Sequence, residues 1–177
     1  MKKLSEKTLY EGKWLSLREK EFSNREKCFC WESVTRKSPR PIAIVIAKLI
    51  PSGKYIMIRQ YRPSRERYVI SFPAGFIEEG IEKCAIRELE EETGYKGKIR
   101  SISPPLAMNS GIGDDIAHFI FMDVPEKDNP QPKQMLEPEE DILVLLVSKE
   151  DIKDFLDTQR KEGYEIDAVV WNYFLGR

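Results

Sequence analysis

Residues 87–95 read RELEEETGY, so Glu88, Glu90, Glu91 and Glu92 stand together behind Arg87 and ahead of Gly94. On a helix, at about 100° per residue, Glu88, Glu91 and Glu92 fall within roughly one-third of the circumference, and Glu90 points elsewhere. Arg87 can pair with Glu91 one turn on, offsetting a repulsion of roughly a few tenths of a kcal/mol per like-charged pair. Taken alone, the stretch suits a solvated charged face as well as a binding site. The run before it, SFPAGFIEEG, separates the two readings: a strand ends in Pro73-Ala74-Gly75, and a glycine-bearing loop then feeds the helix. Clustered carboxylates beside a backbone carbonyl form a hard-oxygen site of the kind Mg²⁺ or Mn²⁺ prefers.

Other residues have chemistry to offer. RQYRPSRER holds Arg59, Arg62, Arg65 and Arg67, and the bidentate fork of a guanidinium suits phosphate. Glu139 and Glu140 lie just before the apolar run ILVLLV, as a loop-borne acid or base or as plain solvated charges. Trp14 and Trp31 are core residues or flat platforms for a base. MNSGIGDD, residues 108–115, is a glycine-bearing loop. His118 is the single histidine and sits in an alternating strand, which argues against a Ser-His-Asp site. Cys28 and Cys30 share a strand face, but no second Cys/His pair completes a zinc tetrahedron.

The elements that must place these groups follow from pattern. Short strands are expected around Thr8–Tyr10, Trp14–Glu21 and Cys28–Arg36, and Pro39 and Pro41 then break the pattern. Three such strands make a poor core by themselves. PIAIVIAKL and KYIMIRQY flank PSG as a hairpin, and RYVISF is a further strand. A helix is expected over Ile81–Thr93, with Ala85, Ile86 and Leu89 on its buried face and Gly94 as its left-handed cap. Strands follow at Lys98–Ile102, Ile116–Val124 and Ile142–Val147. Ser148 and Asp151 open a helix ended by Gly163, and EIDAVVWNYFLG is a last, largely buried helix. PEKDNPQPKQMLEPEE, rich in proline, reads as a long mobile loop. The order predicts a mixed α/β domain, residues 39–177, preceded by a small antiparallel sheet over residues 1–38.

At 177 residues the chain suits one compact domain with a small appendage. With 29 Lys+Arg against 30 Asp+Glu, no global field pulls it toward nucleic acid or membrane. MKKLSEKTLYEGKW carries no apolar signal segment, and no run is long enough to span a bilayer. Three cysteines fit a reduced cytoplasm better than a disulfide framework.

FPAGFIEEGIEKCAIRELEEETGY resembles a Nudix box, whose usual form is G-x5-E-x7-R-E-U-x-E-E-x-G-U. Arg87 to Tyr95 matches without gaps, whereas the Gly75–Arg87 half is two residues short and counting from Gly75 puts Ile81 at the first box glutamate. EGKW, WESVTR, RQYRP and FPAG extend the resemblance to the ADP-ribose pyrophosphatase and nucleoside-diphosphate-sugar hydrolase branch. Ser110 stands where ADP-ribose enzymes often carry proline, which leaves other nucleoside-diphosphate sugars open.

The resemblance implies an α/β/α sandwich with a mixed sheet. It implies a Mg²⁺-dependent hydrolase, with Mn²⁺ as a substitute, that cuts such substrates into a nucleoside monophosphate and a sugar phosphate. Glu88, Glu92 and the Ala74 carbonyl would be metal ligands, with Glu91 a further ligand or catalytic group. Glu140 would be base or additional ligand, with Glu139 the other choice. Arg62 would contact phosphate, and Arg59 and Gly75 would be further substrate-binding residues, with Arg59, like Arg65 and Arg67, otherwise a solvated loop charge. Gly111 and Ile112 would line the sugar side. Trp14 and Trp31 would sandwich the base, one from each subunit of a domain-swapped homodimer, with Arg36 helping to hold it. Other readings are a Nudix hydrolase of a dinucleotide or modified nucleotide, and a non-catalytic nucleotide-sugar sensor.

Overall fold

The computed structural model describes residues 1–176. The chain divides into two compact units: residues 1–42 with 105–118, and residues 43–104 with 119 onward.

In the first unit, β1 (Lys2–Glu11), β2 (Leu15–Asn24) and β3 (Lys27–Arg36) form an antiparallel sheet in that order. β1 begins well before the expected Thr8, and all ten of its residues are exposed. With neither face buried, LysLysLeuSerGluLys needs no apolar alternation, and so it carries no strand pattern. The β1–β2 register shifts between Lys3 and Ser5 and again between Thr8 and Tyr10. Trp14 lies in the turn between β1 and β2, where the Gly12 N–H donates to the Leu15 carbonyl at 2.9 Å.

Residues 105–118 complete this unit. β9 (Leu106–Ala107) pairs with the start of β10 (Ile116–Pro125). The loop between them is bound to β3: the Val34 N–H donates to the Ile112 carbonyl at 2.8 Å, and the Thr35 hydroxyl to Asp114 at 2.8 Å.

The second unit is built on a mixed sheet. Its strands are β4 (Ile42–Ile50), β5 (Tyr55–Arg62), β6 (Arg67–Ser71), β7 (Ala74–Phe76), β8 (Lys98–Ile102), β10, β11 (Ile142–Val147) and β12 (Glu165–Ile166). The order runs β12-β6-β5-β4-β10-β8, with β11 on β5 and β7 on β4. β12 is parallel to β6, whereas β5 is antiparallel to β4, β6 and β11. Since β11 follows β5 from Tyr55 to Gln60, β4 and β6 share its other edge, β4 at residues 55–56 and β6 at 58–62.

Helix α1 (Ile81–Thr93) covers one face, burying Cys84, Ala85 and Leu89 against Val45, Ala47, Ile56, Ile120 and Met122. Cys84 takes the inward place expected of Ile86, which is 43% exposed. Helix α2 spans Ile152–Lys161 and α3 spans Ala168–Leu175. The ring of Phe174 on α3 meets Tyr55 at 4.8 Å, and that of Tyr173 meets Phe121 at 6.3 Å. Tyr55 and Phe121 neighbour Ile56 and Ile120 in sequence, so pleat alternation puts α3 on the face opposite α1. The result is the expected α/β/α sandwich preceded by a small antiparallel sheet.

Two expectations fail here. Of α3 only Val170 is buried, because the helix lays one aromatic edge on the sheet and leaves Trp171 and Tyr173 more than a third exposed. The polar segment after β10 is not loose. Asn129 donates to the carbonyls of Lys96 at 3.0 Å and Pro125 at 2.9 Å, and Gln134 and Met135 bind the end of α1. No described helix is long and apolar enough to cross a membrane.

Candidate active site

The acidic site of the second unit begins with the turn that β7 makes into α1. The Val45 N–H holds the Pro73 carbonyl at 2.8 Å, fixing the chain as it enters Ala74–Phe76. A Cβ on Gly75 would stand 1.8 Å from Glu88 Oε1, so this glycine is what allows the strand to pass against the glutamate. The Ala74 N–H donates to Glu92 Oε2 at 3.1 Å. α1 thus turns Glu88 and Glu92 inward, at 8% and 3% exposure, while Glu91 stays partly exposed. Arg87 spans two of the acids, donating to Glu88 at 2.6 Å and Glu91 at 2.8 Å. Glu90 points away and pairs with Lys96 at 2.9 Å.

The far end of α1 is closed by side chains and backbone from the polar segment. The Gly94 N–H caps the Glu90 carbonyl, the Met135 N–H the Glu91 carbonyl, and the Gln134 amide the Glu92 carbonyl, at 2.8, 2.8 and 2.7 Å. The same Gln134 amide donates to the Ile142 carbonyl at 3.1 Å, tying α1 to the start of β11. Carbonyls that a helix terminus would leave unpaired are therefore satisfied.

Burial decides the electrostatics. It pushes the Glu92 carboxyl up to about 8, with the charges of Glu88 and Glu140 adding to the effect and the Ala74 N–H and Arg62 opposing it. Glu88 is raised for the same first reason, against the pull of Arg87. Arg62 and Glu140 therefore stand within electrostatic reach of the buried pair. Glu140 lies in a tight turn, its carboxylate accepting from the Glu137 N–H at 3.0 Å, and Glu139 beside it is exposed. Arg59 lies over the Tyr164 ring at 4.2 Å, and Arg65 is committed to Glu165 through two bonds of 2.9 Å.

Within the first unit, Trp14 is 71% exposed and Trp31 51%. The Trp31 indole N–H donates to the Gly111 carbonyl at 3.1 Å, and Arg36 donates to Asp115 at 2.9 Å. Gly111 and Ile112 belong to this same loop, so the loop and Trp31 position one another. One acid escaped the count from Gly75. Counted back from Arg87, the E-x7-R spacing falls on Glu79, an exposed residue 3.8 Å from Lys83.

A buried, electron-rich carboxylate pair on the first helix of an α/β/α sandwich defines an oxygen-donor acid site. A NUDIX domain model matches residues 39–168. The chain is 34% identical to the ADP-sugar pyrophosphatase of Mus musculus, covering 97% of this chain and 84% of that one. It is 31% identical to the ADP-ribose pyrophosphatase of Bacillus subtilis, over 73% of this chain and 72% of that one. A solved structure titled "Crystal structure of ADP compounds hydrolase" shares the fold, with a TM-score of 0.67 at 20% identity, covering 88% of this chain and 82% of that chain. The chain belongs to the NUDIX domain family and is a Nudix hydrolase.

Nudix hydrolases use divalent metal ions. Among the described residues no three His, Cys, Asp or Glu side chains stand close enough together to hold a metal. Donor chemistry nonetheless fits a hard cation: the donors are all oxygen, and two of the carboxylates, Glu88 and Glu92, are buried, Glu88 paired with Arg87 and Glu92 held by the Ala74 N–H. Glu88 and Glu92 would hold such an ion.

Proposed function

We propose that this hydrolase cleaves the pyrophosphate of ADP-ribose or a related nucleoside-diphosphate sugar, using Mg²⁺ or, as a substitute, Mn²⁺. The carrying observation is the buried Glu88–Glu92 pair, with Glu140 and Arg62 within electrostatic reach of Glu92. The names of the relatives support the same substrate class. A divalent cation bound there neutralises charge on the diphosphate and acidifies a water.

The chain's own residues do the rest. Arg62 binds a phosphate oxygen through its guanidinium fork. Glu88 and Glu92 would hold the cation, Glu92 giving up its proton to do so, and Arg87 holds Glu88 and Glu91 in place. Glu140 takes the proton from water as that water attacks phosphorus. The phosphoanhydride P–O bond breaks and leaves a nucleoside monophosphate and a sugar phosphate. Trp14 and Trp31 stack on the base.

The register of the small sheet bears on how they do so. Trp31 faces Lys20 across the β2–β3 ladder, six residues from Trp14, or about 20 Å along the strand. Backbone positions that far apart on one small sheet are poorly placed to sandwich one base within a chain, which supports a homodimer in which each site takes one tryptophan from each subunit. Free Cys28, Cys30 and Cys84 support work in the cytoplasm.

A turnover panel tests the reading. ADP-ribose, ADP-glucose, GDP-mannose, UDP-glucose and a dinucleotide are incubated with Mg²⁺ or Mn²⁺, and the nucleotide products separated. Release of nucleoside monophosphate from a nucleoside-diphosphate sugar is the expected result. Turnover confined to the dinucleotide would refute the substrate class.

A further inference from the structure

Asp141 follows Glu140 directly and is the last residue before β11. Its backbone carbonyl accepts from the Tyr61 N–H on β5 at 3.2 Å, and its carboxylate accepts from the Tyr68 hydroxyl on β6. Tyr68 faces Tyr61 in the β5–β6 ladder. Its phenol is itself held in place. The Tyr61 ring meets it edge-on at 5.3 Å and the Tyr164 ring at 6.3 Å, and the Arg59 guanidinium lies 5.9 Å from its centre. On the other side, Glu140 closes its tight turn by donating from its N–H to the Glu137 carbonyl at 3.0 Å.

The Glu140 turn therefore has a short leash on one side and, on the other, a rigid aromatic post reached through one hydroxyl. Breaking that hydroxyl bond would release the Asp141 side chain, leave the backbone bond from Tyr61 as the hold on this residue, and loosen the turn that carries the neighbouring carboxylate. Displacements of about 1 Å in a reacting group are enough to cost orders of magnitude in rate.

We propose that Tyr68 is a positioning residue for Glu140: its hydroxyl, acting through Asp141, fixes the turn from which Glu140 works. The inference rests on the reading of Glu140 as the proton-accepting carboxylate. It also gives Arg59 work away from the substrate, as the cation that holds Tyr68 and Tyr164 in place.

The test is a double-mutant cycle on the best substrate of the panel with saturating Mg²⁺, reading kcat and KM separately. Y68F removes the hydroxyl and keeps the ring, so its melting temperature is expected within a few degrees of the parent protein. Its kcat falls about tenfold with KM changed less than about twofold, and in an E140Q background Y68F costs nothing further. D141A, which breaks the same bond from the other partner, reproduces the Y68F loss. D141N, which keeps an acceptor for the phenol, retains more activity than D141A. Unchanged kcat in both Y68F and D141A overturns the inference, as does an equal loss from Y68F with and without E140Q. If E140Q itself turns over normally, the reading of Glu140 falls and the inference with it. An impaired E140Q with an additive Y68F sinks the inference alone.

Discussion

Glu92 keeps its proton at neutral pH in the metal-free protein, because burial lifts its pKa to about 8 from the ordinary 4.5. The unfolded chain gives that proton up near the ordinary value, so between about 4.5 and about 8 the folded state binds more protons and loses stability as pH rises. Melting temperatures in a chelator at pH 5, 6, 7 and 8 should fall more steeply for the parent protein than for Glu92→Gln. Parallel curves would mean that the burial of Glu92 carries no linkage. Helical period alone exposes the Glu88, Glu91 and Glu92 cluster in the sequence. The choice of Glu92 as the most perturbed of the three is not readable there, since it depends first on burial beneath other elements, with the charges of Glu88 and Glu140 adding to it. Tyr68 belongs to no motif, and its hydroxyl matters through a hydrogen bond to a residue 73 positions away.

At the scale of elements, α1 owes its closed end to the segment that follows β10. Gly94 has φ of 77°, and a Cβ there would stand 2.2 Å from the Lys133 backbone nitrogen. Gly163 also has positive φ, 92°, but open space around it. The left-handed conformation costs a non-glycine residue roughly 1–2 kcal/mol. Urea unfolding should therefore show Gly163→Ala losing about 1 kcal/mol and Gly94→Ala distinctly more, over about 2 kcal/mol. Equal losses would show that the Lys133 contact yields freely. Gly94 was legible as a helix cap, but its backbone contact was not. Pro130 and Pro132 suggested slack, because proline marks a break in pattern whether the chain beyond it is bound or free. The binding is done by Asn129 and Gln134 side chains to carbonyls far away in sequence. β12, of two residues, is too short to leave a period at all.

For the whole molecule, the division into units matters most. Alternation marks β2 of the N-terminal sheet but not the first half of β1, and nothing in residues 105–118 announces that they fold onto β3, because they are held there by backbone groups and by Asp114 and Asp115. The proposed homodimer makes a quantitative demand. Trp31→Ala should raise KM for the best nucleoside-diphosphate sugar about tenfold, with kcat held within a few fold, while light scattering still reports a dimer. An unchanged KM, or a fully active monomer, would remove the shared base clamp.

The bare outer border of β1 carries one more consequence. A flat ten-residue ribbon with unsatisfied amides invites any extended chain to add itself and start a fibre. Two register shifts kink this ribbon, and lysines and glutamate stud its length. A stray peptide thus finds neither a straight track nor a neutral one, which guards this border against seeding aggregates.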